Sequence, residues 1–300
     1  MALGSNPVRG TNKKAAALAA FLLVSRLPKD EMKSVQTARD SLLLPESESC
    51  PTSAILWLLS NTENRIMDKY TIMEGSPGLT LGEVSHMVIP GRGRSGDGMS
   101  LSEPSLARAI FAADVWVDSN FAEGDGFAIC SGYKSPRDHT GQIWLSPDFR
   151  RYRGKPEADS MGDVLMDNGV QSWRIQYERN SPDTATNLAF CERDNCFGKD
   201  DERPTVFIAQ EGQLERIIRD IAPRVMRRDF LGIVVPEDKV PDPDSRLARL
   251  ATRATMLGIK PEDPRMPQKV ANHSKAVWDL VGAVDLAHNA LRSVFSRTSV

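Results

Sequence analysis

Residues 87–98 read Met-Val-Ile-Pro-Gly-Arg-Gly-Arg-Ser-Gly-Asp-Gly, and the fold class turns on how they are taken. A short apolar run leads into Gly91, Gly93 and Gly96 at G-x-G-x-x-G spacing. In dinucleotide-binding folds that pattern joins a strand to a helix and lets backbone amides approach a pyrophosphate. Three features speak against it here: Pro90 stands before the first glycine, Gly98 interrupts any helix, and the next helix begins only near Ser102. The third glycine of the fingerprint belongs inside the helix, against the strand. Residues 90–100 therefore read as a mobile loop with two exposed arginines, Arg92 and Arg94, of the kind that orders on phosphate or on a partner. With no strand–helix alternation elsewhere to suggest a doubly wound sheet, the expected class is α+β and mainly α.

Working outward, the layout is helical, then mixed, then helical. Residues 12–27 form an apolar helix stopped by Pro28, residues 30–44 a second stopped by Pro45, and Ser53 opens a third towards Met67. The run Ala15–Val24 lacks a small-x-small cleavage site and is too short to span a bilayer, so it reads as a buried helix rather than a signal peptide. Ser102 caps the next helix, with Pro104 in its first turn and Leu106, Ala109, Ile110, Ala113 and Val117 as its apolar face. These make a helical N-terminal lobe, 1–123.

A loop-rich middle region, 124–211, carries short β-type runs: Phe127–Cys130, Gln142–Leu145, Trp173–Tyr177 and Thr205–Ile208. In the third, Trp173, Ile175 and Tyr177 alternate onto one side, so a small antiparallel sheet or a few hairpins is expected. A helical C-terminal lobe, 212–300, follows. It has a helix through Leu214, Ile217, Ile218 and Ile221 that meets Pro223, and an apolar run Leu231–Val235 that suits a strand. A further helix is capped at Asp244 or Ser245 and closed by Gly258. It ends in a long helix where Val270, His273, Val277, Leu280, Val284, Ala287, Leu291 and Val294 alternate in steps of three and four, widened by Val281 and Phe295. That stripe must bury itself against the chain's own helices or a second copy; Val277, Leu280, Val284, Leu291 and Val294 are the expected oligomer interface.

The net charge of −2 gives no global basic bias, but the charge is unevenly laid out. Residues 1–39 hold seven Lys/Arg against two Asp/Glu, residues 40–125 five against thirteen, and residues 126–300 twenty-six against twenty-five. Four cysteines are too few for a disulfide scaffold at this length and suit a reducing compartment. Cys191 and Cys196 form C-x4-C, with Cys130 and His139 as conceivable further zinc ligands, but no second close pair exists and no metal is expected. His139 follows Asp138 in a polar turn, which by itself orients neither for acid–base work.

The arginines come in rows. Arg246, Arg249 and Arg253 share a helix face, as do Arg216 and Arg219; Arg224, Arg227 and Arg228 follow Pro223; Arg150, Arg151 and Arg153 surround Tyr152. Guanidinium rows suit phosphate oxygens, and an aromatic beside them suits a base. No motif specifies a reaction and no cofactor is expected. The layout points to a self-assembling structural protein that binds nucleic acid, RNA by expectation, through these arginines together with Arg92 and Arg94: a nucleocapsid or coat subunit, intracellular or within a virus particle, with no membrane partner. Two other classes stay open. One is a metal-dependent nuclease using Asp229, Glu237 and Lys239 at a strand end; the other is a protein-binding scaffold.

Overall fold

The computed structural model describes residues 69–297 apart from 120, 122, 137, 200 and 237–245, with the backbone alone for 247 and 284–297. The helices expected within residues 12–67, and the candidate pair Glu237 and Lys239, lie outside the described residues. So do the caps Asp244 and Ser245 and the side chains of Val284, Leu291 and Val294.

The chain mixes α and β, and its organising element is one six-stranded sheet. The strands are β1 (Ile72–Met73), β2 (His86–Pro90), β3 (Ala128–Ser131), β6 (Ile175–Glu178), β7 (Thr205–Gln210) and β8 (Phe230–Val235). Their order is β1-β8-β7-β2-β3-β6; β8, β7, β2, β3 and β6 run parallel, and β1 joins β8 antiparallel at the edge. The separate strands β4 (Ile143–Leu145) and β5 (Arg151–Arg153) pair as an antiparallel hairpin. Only this hairpin matches the expected antiparallel sheet. The main sheet draws on residues 72–235 and so runs through the positions 123/124 and 211/212 where lobes were expected to meet.

Parallel strands need crossovers, and helices supply them. Helix α1 (Glu103–Asp118) links β2 to β3, α2 (Glu157–Asp167) leads to β6, and α3 (Thr184–Arg193) links β6 to β7. From β7 the chain enters α4 (Glu211–Arg216), passes through a π-helical turn (Ile217–Ile221) and continues as α5 (Ala222–Val225) before β8. The π turn absorbs Pro223, which sits in the first turn of α5 instead of ending the helix. Helices α6 (Arg246–Thr255) and α7 (Met266–Arg297) follow. No helix among the described residues is long and apolar enough to cross a membrane.

The sheet is buried on both faces. Met87, Ile89, Ala128, Cys130, Val206 and Ile208 meet α1 and α2 in one core; Val88, Ile129, Phe207 and Ala209 meet α3, the α4–α5 segment and the start of α7 in the other. This double burial is why these strands read as continuous apolar runs without a period-two alternation. Taking the five parallel strands in chain order as first to fifth, their spatial order is 3-2-1-4-5, with the reversal between β2 and β7. The fold is therefore doubly wound, contrary to the sequence expectation.

Two local expectations change with it, in α1 and at Trp173. In α1 the buried face is Ser105, Arg108, Ala109, Ala112, Ala113, Val115 and Trp116, while Leu106, Ile110 and Val117 are exposed. The face is rotated because it includes a charged residue that hydrophobic patterning leaves out. Trp173 stands in a 3-10 turn, largely exposed, rather than in a strand with Ile175. In α7 the stripe packs within the chain at its start: Val270 is buried in the core, His273 Nδ1 lies 3.0 Å from the Thr255 carbonyl, and Leu280 is exposed.

Candidate functional site

Ligands of doubly wound sheets bind outside the carboxyl ends of the strands, where the strand order reverses. A cleft of about 230 Å³ opens at that end, floored by the loops that follow β2, β3 and β6. Gly91, Arg92 and Gly93 come from the first loop, Gly132 and Lys134 from the second, Ser181–Ala185 from the third. Glu157 at the start of α2, Arg216, the Ala248, Ala251, Thr252 and Thr255 face of α6, and Trp278 of α7 complete the walls.

The glycine loop is tied to its surroundings by side-chain hydrogen bonds. Arg94, its side chain 1 % exposed, pairs with Asp138 and donates to the carbonyls of Gly98, Thr140, Arg153 and Lys155. Asp97 accepts from the Ser95 hydroxyl, from the amides of Met99 and Ser100 and from the Ser100 hydroxyl, which holds its carboxyl well below the usual range. Arg94 is thus a staple of the loop, and Asp138 is engaged with it and with Thr140 rather than orienting the exposed His139.

The loop's amides are already used. Gly91 N–H donates to Ser131 O (2.7 Å), Arg92 N–H to Ser105 Oγ (2.9 Å), and Gly93 N–H to Glu157 Oε2 (2.7 Å). A carboxylate of the protein itself occupies the place where a fingerprint loop would hold pyrophosphate, which is a physical reason against a dinucleotide here. A Cβ at Gly91 would meet the Glu157 carboxylate, so a larger residue there would have to displace that side chain. Burial raises the Glu157 carboxyl to about 7, opposed by the Gly93 amide and by Arg108 and Arg94. Near neutral pH this group is poised to gain or lose a proton.

Beneath the cleft, Arg108 is fully buried. It donates to the Pro90 carbonyl, to Gln210 Oε1 and to Gln213 Oε1 (2.8 Å), so one guanidinium ties the end of β2 to the end of β7 across the reversal. Burial lowers it to about 9, aided by the neighbouring Arg92. Glu178, at the end of β6, accepts from Ser131 Oγ (2.9 Å), Ser181 Oγ and the amides of Asn180 and Ser181. That network shapes the third loop, and burial raises the Glu178 carboxyl. Lys134 is lowered by burial first and then by Arg94.

Of the arginines singled out in the sequence, Arg92 and Arg216 line the cleft, and Arg216 also donates to Thr252 Oγ1 (3.0 Å). The others do not line this cleft. Arg219 and Arg249 both pair with Glu215 (2.8 and 3.2 Å), Arg253 pairs with Asp220 (3.5 Å), and Arg224 donates to the Asp220 carbonyl. Arg227 donates to the Pro261 carbonyl, and Arg228, buried against Phe197, pairs with Glu192. Arg246 is exposed at the start of α6, while Arg150, Arg151 and Arg153 belong to the β4–β5 hairpin.

Sequence reading missed Glu157, Lys134, Arg108, Glu178, Asp183 and Trp278. Arg108 left the one usable signal: an arginine inside an otherwise small and apolar helix is rarely buried without a task. Cys191 and Cys196 are both buried in one core while Cys130 lies in the other, and among the described residues no His, Cys, Asp and Glu side chains group as a metal site. In comparisons with known proteins, no family model, no curated protein and no solved structure matches the chain.

Proposed function

We propose that the protein binds a small ligand bearing a phosphate or similar oxyanion in the cleft at the strand-order reversal, and that Glu157 exchanges a proton with it. The observation that carries this reading is convergence: Arg92, Lys134 and Arg216, from three separate elements, line one cleft together with a carboxyl raised to about 7. Side-chain cations hold the anion, since the loop amides are engaged. The two acids at the site do not oppose it strongly: Glu157 is half neutral near pH 7, and Asp183 is engaged in capping and docking contacts. Isothermal titration of the full chain with inorganic phosphate, pyrophosphate and adenosine monophosphate tests the reading. Saturable binding that Arg216→Gln weakens at least tenfold supports it; no heat from any of the three at millimolar concentration overturns it.

The assembling, nucleic-acid-binding subunit is the second reading. Exposed Leu250, Leu257 and Leu280 on α6 and its surroundings support self-association, and the arginines of α6 lie on the same helix as Leu250. Light scattering with absorbance at 260 and 280 nm separates the two: a particle that collapses on nuclease treatment favours the second, and a monomer with a protein-like ratio removes it.

A further inference from the structure

The β4–β5 hairpin presents one face to the body and one to solvent. Its pairs are Ile143 with Arg153, Trp144 with Tyr152 and Leu145 with Arg151. The period of two sends Trp144 and Tyr152 inward, where Tyr152 is buried and meets the Tyr133 ring at 5.2 Å. The opposite face therefore carries Ile143, Leu145, Arg151 and Arg153. Ile143 is 72 % exposed and Leu145 53 %, and Phe149 in the connecting turn reaches 83 %.

This exposure is built in, not incidental. Phe149 sits at φ +63, a conformation that a bulky aromatic residue seldom adopts. The turn imposes it: Phe149 N–H donates to the Ser146 carbonyl (2.9 Å), while Ser146 N–H and Oγ–H reach the Arg150 carbonyl and Ser146 Oγ accepts from Arg150 N–H (3.0 Å). The hairpin is also fixed to the protein, through Tyr133 Oη to both backbone groups of Arg153 and through Arg94 to the Arg153 carbonyl. A rigid element thus holds a large apolar side chain away from any core.

The charge on this face is basic. Arg150 pairs with Asp148 at 3.1 Å. Arg151 and Arg153 make no ion pair among the described residues, and the sole acid in residues 142–153 is Asp148. Aliphatic side chains alternate with unpaired guanidinium groups. Nucleic acid would be met by several rings that stack on successive bases, and here Trp144 and Tyr152 turn inward, which leaves Phe149 as the single outward ring of the hairpin. A bilayer surface suits what does face outward, with hydrocarbon for Ile143, Leu145 and Phe149 and lipid phosphates for the arginines.

We infer that the β4–β5 hairpin docks the protein peripherally on an anionic lipid surface, with Phe149 inserting and Arg150, Arg151 and Arg153 contacting headgroup phosphates. Tyr133, which anchors the hairpin, directly precedes Lys134 of the cleft wall, so docking places the cleft beside the membrane. The inference does not depend on what the cleft binds.

Flotation of the full chain with phosphatidylcholine vesicles, with and without phosphatidylglycerol, tests it. The protein is expected to float with the anionic vesicles alone, and added salt is expected to release it. Phe149→Asp should weaken binding about tenfold or more, and Arg151→Gln and Arg153→Gln about fivefold each. All three sites are exposed, so circular dichroism should match the unchanged protein, and melting should not fall below it, since aspartate tolerates the positive φ of position 149 better than phenylalanine. No flotation with anionic vesicles, or equal flotation of Phe149→Asp, overturns the inference. So does concentration-dependent dimerisation that Phe149→Asp abolishes, which would assign the face to a second copy. Binding of single-stranded RNA that depends on the arginines but not on Phe149 would overturn it equally.

Discussion

The Asp183 carboxylate serves two helices at once: Oδ1 accepts the Thr186 amide at 2.9 Å and so caps α3, while Oδ2 accepts the Trp278 indole N–H of α7 at 2.9 Å. Ser274 of α7 donates to the same Oδ2. One side chain thereby sets the start of α3 and the position of Trp278, both of which wall the cleft.

Asp183→Ala should cost about 2 kcal/mol, the sum of a lost N-cap and the unpaired donors left on α7. Urea unfolding gives the stability, and tryptophan fluorescence of the native state should shift as Trp278 loses its acceptor. A native spectrum identical to that of the unchanged protein would contradict the coupling.

Glu157 makes stability depend on pH in a defined direction. Its folded value of about 7 lies above its usual 4.5, so the folded protein holds the proton more tightly. The stabilisation is complete below about pH 4.5 and is lost as pH rises towards 7, by roughly 3 kcal/mol in all. Glu157→Gln keeps an acceptor for Gly93 without the titration, so it should flatten that decline and be the more stable chain at pH 8. Equal slopes for both chains in melts between pH 5 and pH 8 would rule this out.

Gly91→Ala drives a methyl group into the Glu157 carboxylate. The expected loss is about 1–3 kcal/mol, the usual penalty of overpacking, with phosphate affinity falling in step. Pairing it with Glu157→Ala makes room, so the double variant should lose less than the sum of the two single ones. Strict additivity would show that the two residues do not touch.

Arg108→Met retains length and apolar packing but removes the guanidinium that donates to the Pro90 carbonyl, Gln210 and Gln213. Two buried acceptors, the Pro90 carbonyl and Gln210 Oε1, lose this donor while Gln213 Oε1 keeps Arg92 at 3.3 Å, and a loss of about 2 kcal/mol is expected in urea unfolding. A change under about 1 kcal/mol would mean that the glutamines find other partners and the clamp across the strand reversal is dispensable.

Much of the local structure could be read from the chain. The runs at Phe127–Cys130, Thr205–Ile208 and Leu231–Val235 are strands, Ser102 caps α1 with Pro104 behind it, and the long last helix exists. The candidate site was far less legible. Arg92 and Arg216 stand out in the sequence as members of arginine rows and not of this cleft; Glu157, Arg108 and Trp278 lie 64, 105 and 62 residues from Gly93, Gln213 and Arg216, their partners in hydrogen bonds or in the cleft wall. Nothing at those positions marks such pairing locally.

Sequence by itself determined several strands and the capped or proline-bounded helices, because side-chain branching, caps and prolines act within a few residues, but it did not reveal α2 or α3 in the middle region. It also determined that the chain carries arginines on shared helix faces. Tertiary structure alone decided that the strands pair in parallel in the order 3-2-1-4-5, since an apolar run buried on both faces has no period to reveal its neighbours. It alone decided that Glu215, Asp220 and Glu192 would pair with Arg219, Arg249, Arg253 and Arg228. And it decided that the glycine loop, which looks mobile as a string of residues, is held by Arg94 reaching carbonyls as many as 61 residues away, because hydrogen-bond geometry is set in space and not along the chain.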